Sequence, residues 1–311
     1  MAVIAQAGPI LEVQDLVKDY GSFRAVDGIS FSVPKGKIVG FLGPNGAGKT
    51  TTIHMLLGIT LANGGSIRYF GEDFRIHREV SLQRINAASA FNTLLGRISV
   101  RENLRVFAEL YQVSNWKKTV DELLERFEIT DHADDQYWHL SSGQRTRVNL
   151  IKSLLNDPEI ILMDEPTASL DPDIADKTLT LIEELREERN LSILYTSHNM
   201  GEITRICDEV IFLDRGKIVA RDTPGNLTKQ VGTATLVLSF SAGKENIETH
   251  LREKNVPHTF VTHQCVEIPS NEKSIPDILF GLNHVGSSIT DIEVRRPTLE
   301  DVFLQIARKD V

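Results

Sequence analysis

The segment Gly43 to Thr51, GPNGAGKTT, restricts what this chain can fold into more than any other stretch. Two glycines with four residues between them, followed by Lys49 and Thr50, match the phosphate-loop pattern. An apolar run at 38–42 has the length of a buried strand, and residues 52–57 follow with helical spacing. A glycine turn between a strand and a helix points backbone N–H groups inward, where the helix dipole adds positive potential. The segment therefore predicts a site for the phosphates of a nucleotide.

Two side chains of this loop have predicted roles of their own. The Lys49 ammonium is expected between the outer two phosphates, and the Thr50 hydroxyl is expected on a magnesium ion. A glycine-rich turn with no ligand is the alternative, but it does not explain Lys49 and Thr50 at this spacing. The predicted nucleotide-binding residues of the loop are Gly43, Pro44, Asn45, Gly46, Ala47, Gly48, Lys49, Thr50 and Thr51.

A second apolar run, 160–163, is followed by the carboxylates Asp164 and Glu165. An Asp at the end of a buried strand beside a phosphate loop can hold magnesium, so we predict Thr50 and Asp164 as the metal site. Side chains alternate along a strand, so Glu165 is expected on the opposite side from Asp164. There it can polarise a water molecule aimed at the γ-phosphate. Two solvated acids at a strand end are the alternative.

Three further features are candidates for the same site. His198 ends the apolar run that starts at 191, and we expect it to contact the γ-phosphate from the same sheet edge. Tyr20 precedes the phosphate loop by about two dozen residues and can stack on a purine, worth about 1 kcal/mol. Ser141 or Ser142 is expected to cap a helix that starts at 140–144, and small residues at a helix N-terminus can also bind phosphate.

Composition sets limits on function and location. The 311 residues are 41% hydrophobic and 25% charged, with 34 basic and 43 acidic side chains and a net charge of −9. This acidic balance argues against a general nucleic-acid binder. The sequence has no apolar run of membrane-spanning length and no cationic secretory start. Cys207 and Cys265 lack metal-ligand spacing and suit a reducing compartment, which predicts a cytoplasmic location.

Periodicity predicts two domains, 1–228 and 229–311. Short strands dominate the first, including an edge strand at 64–71, until helices take over in an insertion at about 85–155. Helical spacing there predicts two apolar faces, formed by Leu104, Phe107, Leu110 and Tyr111, and by Val120, Leu123, Leu124 and Phe127. Beyond 233 the predicted order is strand, helix, strand, strand, helix, strand, which is the ferredoxin-like arrangement. A last helix is expected after Pro297, capped by Thr298 with Asp301.

Together these segments resemble the ATP-binding subunit of ABC transporters, over residues 10–225. Five motifs stand in that family's order: the phosphate loop, 140–144, 160–165, 169–171 and 196–198. The tail 296–303 further resembles ATPases of drug- and polysaccharide-export systems. The resemblance implies an α/β fold with a RecA-like P-loop NTPase core, an antiparallel β edge subdomain and the helical insertion. The ferredoxin-like α+β unit then follows as an accessory or regulatory domain.

The resemblance also implies the chemistry of the site and its partners. Glu165 would activate water and His198 would sense the γ-phosphate, with ATP and Mg²⁺ as ligands. Ser141 and Gly143 would cover the ATP of a second ATPase subunit, identical or different, in a head-to-tail dimer. A transmembrane permease would anchor the pair at the inner face of the cytoplasmic membrane. The implied nucleotide-binding residues outside the phosphate loop are Tyr20, Ser141, Ser142, Gly143, Gln144 and Asp171.

Two positions depart from the family pattern, and one alternative function stays open. Ser142 replaces a usual glycine, and the glutamine expected near Ala90 is missing, with Asn92 as the nearest amide. The alternative is a soluble ABC-type ATPase acting on nucleic acid or ribosomes. The acidic charge, the single phosphate loop and the lack of long coiled-coil or zinc insertions disfavour it.

Overall fold

A computed structural model describes residues 8–89, 94–168, 170–231, 234–271, 274–283 and 288–309. The chain divides into two compact units, and the boundary between them in the sequence falls between Pro224 and Gly225. Ala90, which marks the place of the missing glutamine, and Asn92, the nearest amide, lie outside the described residues, as does Ser169.

The first unit contains the predicted strands and helices together with elements that the sequence patterns do not predict, such as β6. Its strands are β1 (Leu11–Tyr20), β2 (Phe23–Val33), β3 (Ile38–Leu42), β4 (Gly64–Tyr69), β5 (Glu72–Asp73), β6 (Ile85–Ser89), β7 (Ile160–Asp164), β8 (Ser192–Thr196), β9 (Glu209–Asp214) and β10 (Lys217–Asp222). Its helices are α1 (Lys49–Leu56), α2 (Arg78–Gln83), α3 (Val100–Leu110), α4 (Trp116–Arg126), α5 (Ser142–Leu154), α6 (Pro172–Arg189) and α7 (Met200–Ile206). No helix in the described parts of the chain combines the length and apolarity needed to cross a bilayer.

A six-stranded sheet in the order β10-β9-β3-β8-β7-β6 forms the centre of this unit. Every neighbouring pair is parallel except β10 with β9. Strands β3 and β8 are buried along their whole length, as expected for strands covered on both faces. Parallel strands end at one edge, so the segments after β3, β7 and β8 lie together there.

A second, antiparallel sheet in the order β2-β1-β4-β5 packs against the first. Phe31 of this sheet meets Phe41 of β3 with ring centroids 5.0 Å apart, and α1 contributes Ile53 and Leu56 to the same core. The predicted edge strand, β4, pairs on both sides, and the two-residue β5 takes the edge. The P-loop fold with an antiparallel subdomain is thereby confirmed.

The helical insertion starts later than predicted, and the buried face of α3 differs from the predicted one. Ile85 to Ser89 form β6, which pairs with β7, so the insertion begins after the strand and not at 85. Leu110 is 65% exposed and does not belong to the buried face of α3, which Val100, Leu104 and Ala108 form. The strand β6 is hard to recognise in the sequence because Ile85 is its only large apolar side chain.

The second unit has the predicted ferredoxin-like order. After α8 (Pro224–Val231), its elements are β11 (Ala234–Ala242), α9 (Lys244–Glu253), β12 (Thr259–Thr262), β13 (Cys265–Ser270), α10 (Ile275–Asn283), β14 (Ser288–Arg295) and α11 (Leu299–Lys309). The strands pair antiparallel in the order β12-β13-β11-β14. Leu236, Leu238 and Ile247 lie in its core, and Asp301 and Thr298 cap α11 as expected.

Lys152 of α5 joins the helical insertion to the central sheet. Its ammonium donates to the Asn86 side chain and to the carbonyl of Ala87 in β6, at 3.1 Å each, and lies 5.5 Å from the ring centre of Phe107. Burial lowers the pKa of Lys152 to about 8. The folded chain therefore releases this proton at a lower pH than the unfolded chain does.

The free energy of unfolding should depend on pH through Lys152. Between pH 8 and the usual lysine pKa the unfolded state binds more protons, so the native protein should gain stability as pH rises. Relative to the Lys152→Met variant, the free energy of unfolding should rise by about 2 kcal/mol between pH 8 and pH 10. Denaturant unfolding of both proteins across this range measures it. A difference between them that stays constant with pH would contradict the burial of this charge.

Candidate functional site

The phosphate loop connects β3 to α1 in a conformation that requires glycine. Gly48 has φ of +102°, and a Cβ there would lie 2.5 Å from the carbonyl oxygen of Ala25. The Gly216 amide donates to the Ala47 carbonyl at 3.1 Å and fixes the loop from the β9–β10 turn. Helix α1 begins with no side-chain cap and no acid in its first turn. Its N-terminus is thus left with a positive potential that suits an anion.

Lys49 is held across this loop. Its side chain is buried, and its ammonium donates to the carbonyl oxygens of Gly43 at 2.6 Å and Pro44 at 3.2 Å. Burial lowers the pKa of Lys49, while the charges of Glu165 and Asp164 act in the opposite direction. A partly desolvated cation beside the loop is suited to a phosphate group.

Asp164, the last residue of β7, is oriented by two hydroxyls. It accepts from Thr196 Oγ1 at 2.6 Å and from Thr50 Oγ1 at 3.2 Å. Thr196 is fully buried at the end of β8, and its hydroxyl also accepts from the Glu165 amide at 3.0 Å. Sequence patterns predict Thr50 and Asp164 but not Thr196, whose only signal is its place at the end of a buried strand.

Glu165 and His198 face each other, with His198 Nδ1 and Glu165 Oε2 2.9 Å apart. Glu165 comes directly after β7 and has φ of +49°, in the left-handed region. Glu165 lies outside the strand, so strand alternation does not fix the direction of its side chain, and its placement opposite Asp164 stays a prediction. The turn and the contact with His198 set its direction instead.

The oxygen atoms of Thr50 and Asp164 fit magnesium. Mg²⁺ prefers oxygen ligands and binds few protein groups beside substrate phosphates and water. A hydroxyl and a carboxylate in contact next to a phosphate loop meet this requirement. In the chain segments that the structure describes, no group of three or more His, Cys, Asp and Glu side chains could hold a metal ion.

Tyr20 ends β1 with its side chain half exposed. The Lys18 ammonium lies 5.0 Å from its ring centre, and Phe23 is its partner across the hairpin. The strand that follows carries Ala25, whose carbonyl oxygen approaches Gly48. An open ring on the hairpin beside the loop remains compatible with stacking on a base.

The start of α5 is capped as predicted, by Ser141. Gln144 completes a capping box: its amide donates to Ser141 Oγ, and its side-chain oxygen accepts from the Ser141 amide at 2.8 Å. The Gln144 side-chain nitrogen lies 2.7 Å from His132 Nε2, and His132 Nδ1 lies 2.7 Å from Asp135. Sequence reasoning missed His132 and Asp135. These bonds connect the helix start to its own insertion and not to Lys49.

The other predicted residues near the start of α5 and α6 differ in their exposure to solvent. Ser141 and Ser142 are exposed, whereas a Cβ on Gly143 would lie 2.8 Å from Ile174 of α6. Asp171 is exposed at the start of α6, where its side chain makes no capping hydrogen bond. The exposed hydroxyls and the Asp171 carboxylate are therefore accessible to another molecule.

Comparison with known proteins gives a family and close relatives. A family model described as "ABC transporter" matches residues 26–168. The Nod factor export ATP-binding protein I of Ralstonia nicotianae is 38% identical over 72% of this chain and 70% of its own length. The linearmycin resistance ATP-binding protein LnrL of Bacillus subtilis is 30% identical over 96% of this chain and 98% of its own. A solved ATP-binding subunit of an ABC transporter superposes with a TM-score of 0.65 at 26% identity, covering 71% of this chain and 92% of that one.

Removal of the Thr196 hydroxyl should destabilise the protein. Thr196→Val keeps the side-chain shape but removes the donor to Asp164, which should lower the free energy of unfolding by about 1–3 kcal/mol. Thr196→Ser retains the hydroxyl and serves as the control. Urea unfolding of both variants measures the difference. Equal stability of the two variants would show that this hydrogen bond contributes nothing.

Proposed function

This chain belongs to the ATP-binding subunits of ABC transporters, and we propose that two such subunits close head-to-tail around two ATP molecules and drive a separate transmembrane permease. The observation that carries the proposal is the juxtaposition of Lys49, Thr50, Asp164, Glu165 and His198 at one sheet edge. The subunits of this family bind and hydrolyse ATP.

The phosphate loop and its neighbours are the proposed ATP-binding surface. The backbone N–H groups of the loop from Asn45 to Thr51 cradle the phosphates. Lys49 leaves its carbonyl partners and binds the outer two phosphates. Thr50 and Asp164 hold Mg²⁺, which neutralises phosphate charge when bound. Tyr20 provides a stacking surface for adenine.

Glu165 and His198 are the proposed catalytic pair. The Glu165 carboxylate accepts a proton from the attacking water. His198 holds Glu165 in position and also contacts the γ-phosphate. Their contact at 2.9 Å supports this assignment, since it aligns the base before ATP arrives.

The proposal of a second subunit rests on two features of the single chain. The sequence has a single phosphate loop, and the Ser141 to Gln144 segment is bonded within its own insertion. Its exposed serines are therefore proposed to cover the ATP of the other subunit, with Asp171 bridging the two. A homodimer is the simplest arrangement, and a heterodimer would use the same surfaces.

Loss of phosphate then opens the dimer. Each charge-assisted contact to the γ-phosphate is worth about 1.5–3 kcal/mol, so its removal separates the two subunits. We propose that the permease converts this opening into export, at the inner face of the cytoplasmic membrane. The names of the relatives, export and resistance proteins, favour this direction over the nucleic-acid or ribosome alternative. Residues 229–311 are proposed as an accessory or regulatory domain.

Glu165→Gln should separate binding from hydrolysis. The amide keeps the shape of the side chain but cannot accept the proton, so the hydrolysis rate should fall by about 100-fold or more. ATP affinity should stay within a few-fold of the parent. Light scattering with Mg-ATP should then detect a long-lived dimer.

The control is Glu159→Gln, at the opposite end of β7, where the carboxylate pairs with Arg84 and Lys35. It should hydrolyse ATP like the parent. If Glu165→Gln also hydrolyses ATP at the parental rate, Glu165 is not the base.

A further inference from the structure

Glu202 of α7 is a buried carboxylate outside the recognised motifs. Its residue is 7% exposed, and three hydroxyls donate to the same oxygen, Oε2. The donors are Thr167 Oγ1 at 2.8 Å, Tyr195 OH at 2.9 Å and Ser197 Oγ at 2.8 Å. We refer to these four side chains as the Glu202 network.

The network joins the two segments that hold the proposed catalytic pair. Thr167 lies two residues after Glu165, in the segment that leads to Asp171, and Ser197 directly precedes His198. Tyr195 belongs to β8, between these segments. One carboxylate oxygen therefore fixes the backbone on both sides of the contact between Glu165 and His198.

The hydrogen-bonding directions in this network are well defined. A carboxylate oxygen only accepts, so each hydroxyl must donate to it. Burial raises the pKa of Tyr195, and the Glu202 charge acts in the same direction, so the phenol remains a donor. The Ser197 hydroxyl in turn accepts a hydrogen bond from the backbone N–H of Asn199 at 3.0 Å.

Hydroxyl donors take the place of a cation here. Among the described residues, no ion pair joins Glu202 to a lysine or arginine. Hydrogen bonds to a charged acceptor are roughly twice as strong as neutral ones, and three of them offset the burial of the carboxylate. The loss of any single donor therefore weakens the connection between segments without leaving an unpaired ion.

We propose that Glu202 is a positioning residue, which locks the Ser197–His198 segment to the segment that holds Glu165 and Thr167. Any shift of His198 toward the γ-phosphate is therefore accompanied by a shift of Thr167 and of the neighbouring Glu165. The inference rests on the proposed roles of Glu165 and His198.

The test compares ATP hydrolysis and ATP binding in Glu202→Gln. A neutral amide weakens all three hydroxyl bonds and turns an NH₂ group toward the Asn199 side-chain nitrogen, 3.4 Å from Glu202 Oε1. The kcat should fall about tenfold, because the catalytic pair loses its alignment. The affinity for ATP, measured in a Glu165→Gln background, should change less than about threefold, because the phosphate loop is not altered.

Two milder variants keep the proposal testable if Glu202→Gln folds poorly. Ser197→Ala and Thr167→Val each remove one donor, and each should lower kcat. Since both break the same connection, the double variant should lower kcat by less than the product of the two single effects. A purely structural role would leave the two effects independent and would change kcat and ATP affinity together.

The control is Glu159→Gln, which removes a carboxylate with ion pairs away from the proposed catalytic pair and should retain the parental kcat. A Glu202→Gln protein with parental kcat would overturn the proposal, as would a loss of ATP affinity equal to the loss of kcat. If Glu202→Gln gives one of these two results while Glu165→Gln arrests hydrolysis, only the inference about Glu202 fails. If Glu165→Gln also hydrolyses ATP normally, the proposed function itself fails.

Discussion

The pairing register of β3, β8 and β7 is the constraint on which the site depends. Thr196 of β8 lies between Phe41 of β3 and Asp164 of β7 in the two parallel ladders. This register brings the Thr196 hydroxyl to Asp164, and Asp164 to Thr50 at the start of α1. A slip of one residue would turn these side chains to opposite faces of the sheet. The buried apolar residues of the three strands fix the register, so the core of the fold sets the geometry of its chemistry.

Much of this arrangement is predictable because its signals are local. The phosphate loop, the carboxylates after β7 and the His after β8 each follow a short apolar run, and parallel strands bring such ends together. The order of the second unit is readable for the same reason, since its strands and helices alternate clearly. The Ser141 cap needs only a serine followed three residues later by Gln144.

What the sequence does not predict depends on contacts between distant segments. The strand β6 has no apolar pattern that would predict it. The presence of Asn86 in this strand is explained by its hydrogen bonds with Lys152 and Asn156. The link from Asp135 through His132 to Gln144 joins residues with no shared motif. Glu202 is similar: its role appears only once α7, β8 and the segment after β7 are packed together. Each of these is a contact between polar side chains, and the periodicity of apolar residues carries no information about such contacts.

The central claim, that each ATP is shared by two subunits, is tested most directly by mixing two inactive chains. Lys49→Ala removes the phosphate contact of one half-site, and Ser141→Arg blocks the other half. In a symmetric dimer, each mixed pair regains one intact site, so an equal mixture should recover about a quarter of parental ATPase activity. Each chain alone should stay inactive. No recovery, in a mixture where differently tagged chains co-purify as dimers, would contradict the account.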